Sequence, residues 1–341
     1  REQRGIHMSA SFLAFTVGRR AAPRLCITST SASAAPLRSC HRRLLHHEPR
    51  HPAMSTAAAA GAAGGEREPH VPPHPGVSKL YAPVHIAGRC ALITGASSGI
   101  GYATAERLAE LGCRLVITAR RLDRLELLAR RLEDEYGAKV HCVALDVSET
   151  AAVLSLPTSL PADYADVSIL VNNAGGALGT AKCTDNDMDD VVTMLDANVR
   201  GVIAATRAFS PGMVQRGEGH IVNISSIAGV EWYGGGSVYC ATKAAVNAFT
   251  TASRKDLHDT PCKITSISPG FVNTEFASVR FKGDADKAAA TYKGMKYGGP
   301  LLAEDIADNI AYALTRPGRV QVCDILVYPT SQGSARDIAR E

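Results

Sequence analysis

No apolar run in the 341-residue chain approaches the ~20 residues that one helix needs to cross a hydrocarbon core, so no membrane span is expected. None of the nine cysteines forms a C-x-x-C pair, and several stand in apolar strand-like runs such as Cys90-Ala91-Leu92-Ile93. The thiols therefore read as small, buried and reduced, not as disulfides or zinc ligands. Acidic residues are missing from Gln3 to His47, lysine is missing from residues 1–53, and no internal repeat is visible.

The charge that is present divides unevenly. Residues 1–53 hold nine Arg against Glu2 and Glu48, a balance of +7. The other 288 residues hold 28 basic and 31 acidic groups, a balance of −3. The net +4 thus belongs to a short segment, and a near-neutral body is not expected to coat nucleic acid. Arg-rich, Ser-rich and acid-poor, that segment has the composition of an organelle transit peptide, which implies a mitochondrial address. The alternative is sequence upstream of a start at Met8 or Met54, which implies a cytoplasmic protein. Residues 55–85, with Ala57–Ala60, Pro69, Pro72, Pro73 and Pro75, can bury no core and read as a disordered linker. The expected organisation is a tail and linker over 1–85 followed by one domain over 86–341. His41, His46, His47 and His51 lie where no fold would hold them, so they read as solvated tail and no metal is expected.

From Ile86 onward, short apolar runs alternate with helical patterns. Strands are expected at Cys90–Thr94, Arg114–Ala119, Lys139–Leu145, Ser168–Val171, Gly219–Ser225, Cys262–Ser268 and Gln321–Val327. Helices fit between them, notably Ile100–Leu111, Asp187–Gln215, Ser237–His258 and Ala303–Thr315. Such interleaving implies a single α/β domain of the doubly wound Rossmann type, its seven-stranded parallel sheet covered by helices on both faces.

The first strand runs into Thr94-Gly95-Ala96-Ser97-Ser98-Gly99-Ile100-Gly101. A strand, a Gly-rich turn and a helix N-terminus make a phosphate cradle, because glycine admits close backbone approach and the helix end offers free N–H groups. In such folds a carboxylate after the second strand holds the adenosine ribose; here Arg120 and Arg121 stand there instead. A guanidinium pairs with phosphate, so NADP(H) is expected over NAD(H). Asp146-Val147 ends the third strand and Asn172-Asn173-Ala174-Gly175 ends the fourth, adding polar and small residues at successive carboxyl ends of the sheet. Ser226 ends the fifth strand, and Tyr239 and Lys243 share a helix face at i,i+4. An ammonium one turn away favours a phenolate, so Tyr239 is expected to exchange a proton with a substrate oxygen that Ser226 also binds. Cys240 reads as small-residue packing beside it.

These motifs resemble the short-chain dehydrogenase/reductases over about residues 86–330. The resemblance implies that Tyr239 is the general acid/base and that Lys243 binds the nicotinamide ribose and lowers the phenol. It implies that Ser226 positions the substrate and that Asn198 holds a relay water at a backbone irregularity inside a long helix. Pro269, Gly270, Val272 and Thr274 would run along the nicotinamide. Gly270–Asp284, Asn173–Gly179 and Tyr328–Gln332 are further similar to NADP-dependent 3-hydroxy acid dehydrogenases, which implies small hydroxy acid or carbonyl substrates and a homotetramer. A 3-hydroxy acid needs a cation, and of Arg280 and Lys282 in the substrate loop the planar Arg280 is the expected carboxylate partner. Trp232 and Tyr233 are placed either to wall the pocket or to fill core. A carbonyl reductase for uncharged substrates and a non-catalytic dinucleotide-binding sensor are the alternative readings.

Overall fold

In the computed structural model the described residues are 83–341. The tail and linker, with Cys26 and Cys40, lie up to residue 82 outside the described residues. The Val84 N–H already donates to the Thr315 carbonyl at 2.8 Å, and Ile86 is buried.

Seven strands follow: β1 Cys90–Thr94, β2 Arg114–Ala119, β3 Val140–Ala144, β4 Val167–Asn172, β5 His220–Ile224, β6 Lys263–Pro269 and β7 Asp324–Val327. They form one parallel sheet in the order β3-β2-β1-β4-β5-β6-β7. The helices are α1 Gly99–Glu110, α2 Leu122–Tyr136, α3 Thr150–Ser159, α4 Met188–Leu195, α5 Gly201–Arg216, α6 Ser237–Asp256, α7 Phe276–Arg280, α8 Ala285–Tyr292 and α9 Ala303–Leu314. This is a Rossmann-type α/β domain with helices on both faces of the sheet.

The period of two along a strand explains the layering. Ala91 and Ile93 of β1, Leu115 and Ile117 of β2, and Ile169 and Val171 of β4 pack with Leu108 of α1, Leu125, Leu128 and Leu132 of α2, and Ile306 and Ile310 of α9. Their neighbours Leu92, Val116 and Leu170 turn to the other face, against Val153 and Leu156 of α3 and Phe209 and Met213 of α5. Both faces are therefore apolar, which is why the central strands read as unbroken hydrophobic runs rather than alternating ones. Each fully buried Leu or Ile contributes roughly 1.5–3 kcal/mol.

Most ends fall within one or two residues of expectation, and the two larger differences have local reasons. The last strand is shorter than Gln321–Val327, because Gln321 Nε2 donates to the Ile264 carbonyl and Thr265 Oγ1 to the Val322 carbonyl, side-chain bonds that replace ladder pairing. The helix expected over 187–215 is α4 and α5 joined by a π-helical turn, Asp196–Arg200. That is the irregularity expected at Asn198, and an extra residue per turn there re-aims the side chain. Among the described cysteines, Cys90, Cys113, Cys240 and Cys262 are buried free thiols, whereas Cys183 is exposed.

Candidate active site

The strand order reverses between β1 and β4, so the connections leave to opposite faces and a crevice opens at the carboxyl ends. A cleft of about 1430 Å³ lies there, lined by the turns after β1 to β6 and by the segment around α7.

Its floor is the Gly-rich turn. Gly95 and Gly99 have φ of +70° and +56°, left-handed conformations that a Cβ disfavours. A Cβ on Gly101 would stand 2.4 Å from the Gly95 carbonyl oxygen and 2.5 Å from Asn173 Nδ2. Thr94 Oγ1 accepts from the N–H groups of Asn173 and Ala174 at 3.0 Å, and Asn173 Nδ2 donates to the Thr94 and Gly95 carbonyls at 2.9 and 3.2 Å. Asn173 is thus a brace between the two turns as well as part of the cleft wall. Ser98 makes no side-chain cap on α1 and no acid occupies the first turn, which leaves that helix end suited to an anion. Ser97, Ser98, Gly99 and Ile100 line the cleft, and so do Val147, Ala174 and Gly175.

Arg121 reaches back over this floor, donating to Ser97 Oγ at 3.1 and 3.3 Å and to Ser98 Oγ at 3.0 Å. Its other nitrogen pairs with Glu275 at 3.0 Å, and Arg124 pairs with the same carboxylate at 2.6 Å. The Arg124 hydrogen bond, aided by Arg121, holds the Glu275 carboxyl below its ordinary range despite partial burial. Arg120 is exposed at the cleft wall with no ion-pair partner among the described residues. Burial pushes the Asp146 carboxyl up, but two hydrogen bonds from Ser148 and the Arg120 charge outweigh it and hold the group low.

At the inner end, Ser226, Tyr239, Lys243 and Asn198 are all buried. Ser226 starts the turn after β5, its Oγ accepting from the Ala228 N–H at 3.1 Å, and it hydrogen-bonds the Tyr239 phenol. Tyr239 and Lys243 stand one turn apart on α6, with Nζ 5.9 Å from the phenol ring centroid. The ammonium donates to the Ile224 carbonyl at 2.8 Å. Asn198 Oδ1 accepts from the Gly176 N–H at 2.9 Å, while its Nδ2 donates to the Gly176 carbonyl at 2.8 Å and to Thr242 Oγ1 at 3.0 Å. Gly175 is small because a Cβ there would lie 2.5 Å from Asn198 Oδ1.

The electrostatics correct one expectation. Burial pushes the Tyr239 phenol up; the Ser226 hydrogen bond and the Arg280 charge pull against it without prevailing, and the Lys243 ammonium faces a backbone carbonyl. Lys243 is itself pushed down to about 8 by burial. Proximity of an ammonium at i,i+4 is therefore not sufficient here, because desolvation acts on both groups.

The loop cations separate cleanly. Lys282 is engaged by Asp190 at 2.8 Å, whereas Arg280 lines the cleft with its guanidinium carbon 5.9 Å from the Tyr239 ring centroid. Arg280 donates to Tyr233 Oη at 2.9 Å. Tyr233 lines the cleft, but Trp232 is 74% exposed and neither walls it nor fills core. Cys240 packs among Ala177, Met194, Ala228 and Tyr239. Pro269, Gly270, Val272 and Thr274 line the cleft as well.

Two features escape a reading of local motifs. One is Glu275, whose arginine partners lie about 150 positions away in the chain. The other is the C-terminal segment, which brings Arg336 and Arg340 to the cleft. Among the described residues, no group of His, Cys, Asp and Glu is arranged to hold a metal, and no helix is long and apolar enough to cross a membrane.

The model of the short chain dehydrogenase family matches residues 89–285. An NADP-dependent 3-hydroxy acid dehydrogenase of Schizosaccharomyces pombe is 46% identical over 255 residues, covering 74% of this chain and 97% of that protein. A serine 3-dehydrogenase of Rhizobium radiobacter is 38% identical over 244 residues, 72% of this chain and 95% of that one. The closed form of a serine dehydrogenase complexed with NADP+ superposes with a TM-score of 0.68 at 40% identity, covering 74% of this chain and all of the other. With this fold, this cleft and matches of this extent, the chain belongs to the short chain dehydrogenase family.

Proposed function

We propose that this protein carries out NADP(H)-dependent hydride transfer at the hydroxyl-bearing carbon of small 3-hydroxy acids and the corresponding carbonyl compounds. It is an oxidoreductase of CH–OH groups, as its relatives are. The observation that carries the reading is the meeting of Ser226, Tyr239 and Lys243 with Arg280, which has no carboxylate partner among the described residues, at the inner end of a cleft floored by a Gly-rich turn.

The residues present suit NADP. Left-handed glycines and a bare helix end match a pyrophosphate, and Arg120 and Arg121 at the cleft wall, with Arg124 on the same Glu275 carboxylate as Arg121, would hold a 2′-phosphate. When bound, the cofactor supplies the hydride acceptor or donor and, in its oxidised form, a positive charge beside the phenol. Tyr239 Oη takes or gives the hydroxyl proton. Ser226 Oγ fixes the orientation of the same oxygen. Lys243 Nζ, at about 8, can gain or lose a proton near the working pH, and Asn198 holds the wall behind it through Thr242. Arg280 takes the substrate carboxylate.

The test is a substrate panel with NADP+: L-serine, L-allo-threonine, 3-hydroxypropionate and a neutral alcohol. Turnover of the acids, with kcat/KM reduced at least a hundredfold by Arg280→Ala while the neutral alcohol is barely affected, is the expected result. Equal losses on both classes would reject the role of Arg280, and preferred turnover of the neutral compound would favour a general carbonyl reductase. A homotetramer is proposed from the resemblance to 3-hydroxy acid dehydrogenases. The exposed Met188, Val192, Leu195 and Ile203 on α4 and α5 support a subunit contact, which sedimentation reads. A tail acting as a mitochondrial transit peptide would be missing from the mature protein, and mass spectrometry of the natural N-terminus detects that.

A further inference from the structure

We propose that Arg336 is a specificity-determining residue that receives a second carboxylate, so that the preferred substrates are 3-hydroxy dicarboxylic acids rather than simple 3-hydroxy acids. This rests on the reading of the site as a 3-hydroxy acid oxidoreductase and names its substrate class more narrowly.

The argument starts from two guanidiniums gathered on one aromatic residue. Arg280 donates to Tyr233 Oη at 2.9 Å, and its guanidinium carbon is 5.5 Å from the Tyr233 ring centroid. Arg336 lies over the same ring at 4.8 Å and donates to the Gly234 carbonyl. The two cationic centres are therefore no more than about 10 Å apart. Two carboxylates on a five-carbon chain, each paired with a guanidinium, span a comparable length.

Neither arginine has a carboxylate partner among the described residues, although the cleft is lined by three acids. Asp146 accepts from Ser148, Asp196 pairs with Arg200, and Glu275 pairs with Arg121 and Arg124. Positive charge at the substrate end is thus uncompensated by any carboxylate among the described residues.

Arg336 is also held in place. The Ala335 N–H donates to Glu231 at 2.7 Å, and Tyr328 Oη donates to the same carboxylate at 2.5 Å. The Arg336 N–H donates to Ser334 Oγ, and that hydroxyl donates to Asp337. Ala335 is buried while the Arg336 side chain stands at the cleft mouth. An exposed arginine kept for solubility alone would not require this clasp. A fixed cation loses less freedom on binding an anion than a mobile one.

The reaction is unchanged in kind. In 3-hydroxyglutarate the C3–H bond would break with its electron pair going to bound NADP+, and the hydroxyl proton would be taken by Tyr239 Oη once the phenol has released its own proton. The products are 3-oxoglutarate and NADPH.

The experiment compares 3-hydroxyglutarate with 3-hydroxybutyrate, which lacks only the second carboxyl, and uses L-serine as reference. Wild type is expected to show at least tenfold higher kcat/KM on 3-hydroxyglutarate than on 3-hydroxybutyrate. Arg336→Gln should raise KM for the dicarboxylate at least tenfold with kcat little changed, leave the two monocarboxylates within about twofold, and be partly rescued by Arg336→Lys. Turnover of L-serine without preference for 3-hydroxyglutarate would overturn this proposal alone. Equal losses on all three substrates would make Arg336 a support for Tyr233 and overturn it too. No turnover of any acid would instead remove the underlying reading.

Discussion

Gly101→Ala tests the architecture of the cleft most directly. The added methyl would stand 2.4 Å from the Gly95 carbonyl oxygen and 2.5 Å from Asn173 Nδ2, where ordinary contacts begin at 3.4 Å, so something must move by about 1 Å. The first obstacle is backbone, and the second is the amide that braces the two turns through bonds of 2.9 and 3.2 Å. Losing those two bonds costs about 1 kcal/mol each, and overpacking costs about 1–3 kcal/mol. The expected destabilisation is about 3–5 kcal/mol by urea unfolding. Because the displaced segment is the proposed phosphate cradle, the NADPH dissociation constant, read by nucleotide fluorescence, should rise at least tenfold. Gly88→Ala is the control: Gly88 has φ +79° but no atom within 4 Å of its Cβ, so only left-handed strain of about 1–2 kcal/mol applies and NADPH binding should not change. A Gly101→Ala protein within about 0.5 kcal/mol of wild type, with unaltered NADPH affinity, would refute the packing argument.

The other predictions follow from charge. Burial holds Lys243 at about 8 against an ordinary 10.5, so the folded state is penalised below pH 8 and the penalty, about 3 kcal/mol, fades as pH rises towards 10.5. Relative to Lys243→Met, wild type should therefore gain about 3 kcal/mol between pH 8 and 10.5 by urea unfolding, on top of a fall above pH 9 common to both proteins as the thiols Cys90, Cys113 and Cys142, which burial pushes up in the fold, ionise in the unfolded chain; Lys243→Met should be inactive and at least as stable at pH 7. His220 is buried and neutral, pushed down to about 3 from 6.5, so its contribution is complete above pH 6.5 and is lost as pH falls towards 3. His220→Gln, able to keep the bond to Thr265 Oγ1, should flatten the acid limb of the stability profile between those values. Arg121→Ser should raise the NADPH dissociation constant at least tenfold and leave NADH nearly unchanged. Glu275→Gln should tighten NADPH, because it releases Arg121 and Arg124 from a competing carboxylate. An unchanged NADPH-to-NADH ratio in Arg121→Ser would remove that arginine from the phosphate site.

Much was legible because it depends on local chemistry. Unbroken apolar runs such as Cys90–Thr94 identify strands covered on both faces, and β1 and β2 have the expected ends. Gly95, Gly99 and Gly101 announce a turn that no Cβ could enter, and the interval between Tyr239 and Lys243 places both on one face of α6 whatever surrounds them. The edge of the sheet was harder, since a short run with alternating exposure such as β7 resembles a loop until its partner is known.

What local pattern cannot contain is the company a side chain keeps. Arg280 and Lys282 are two residues apart and chemically similar, yet one meets the cleft and the other meets Asp190, because the loop's path sends them different ways. Trp232 is the kind of residue expected in a wall, and only the position of its turn leaves it in solvent. The Tyr239–Lys243 interval identifies the pair, but the depth at which α6 lies against β5 decides that burial, not mutual attraction, sets their protonation. Order along the chain thus determined the sheet, the Gly-rich turn and the Tyr239–Lys243 pair on one helix face, through dihedral preference and hydrophobic period. Desolvation and ion pairing act between residues as far apart as Arg121 and Glu275, or Tyr233 and Arg336, so only the folded arrangement could settle them.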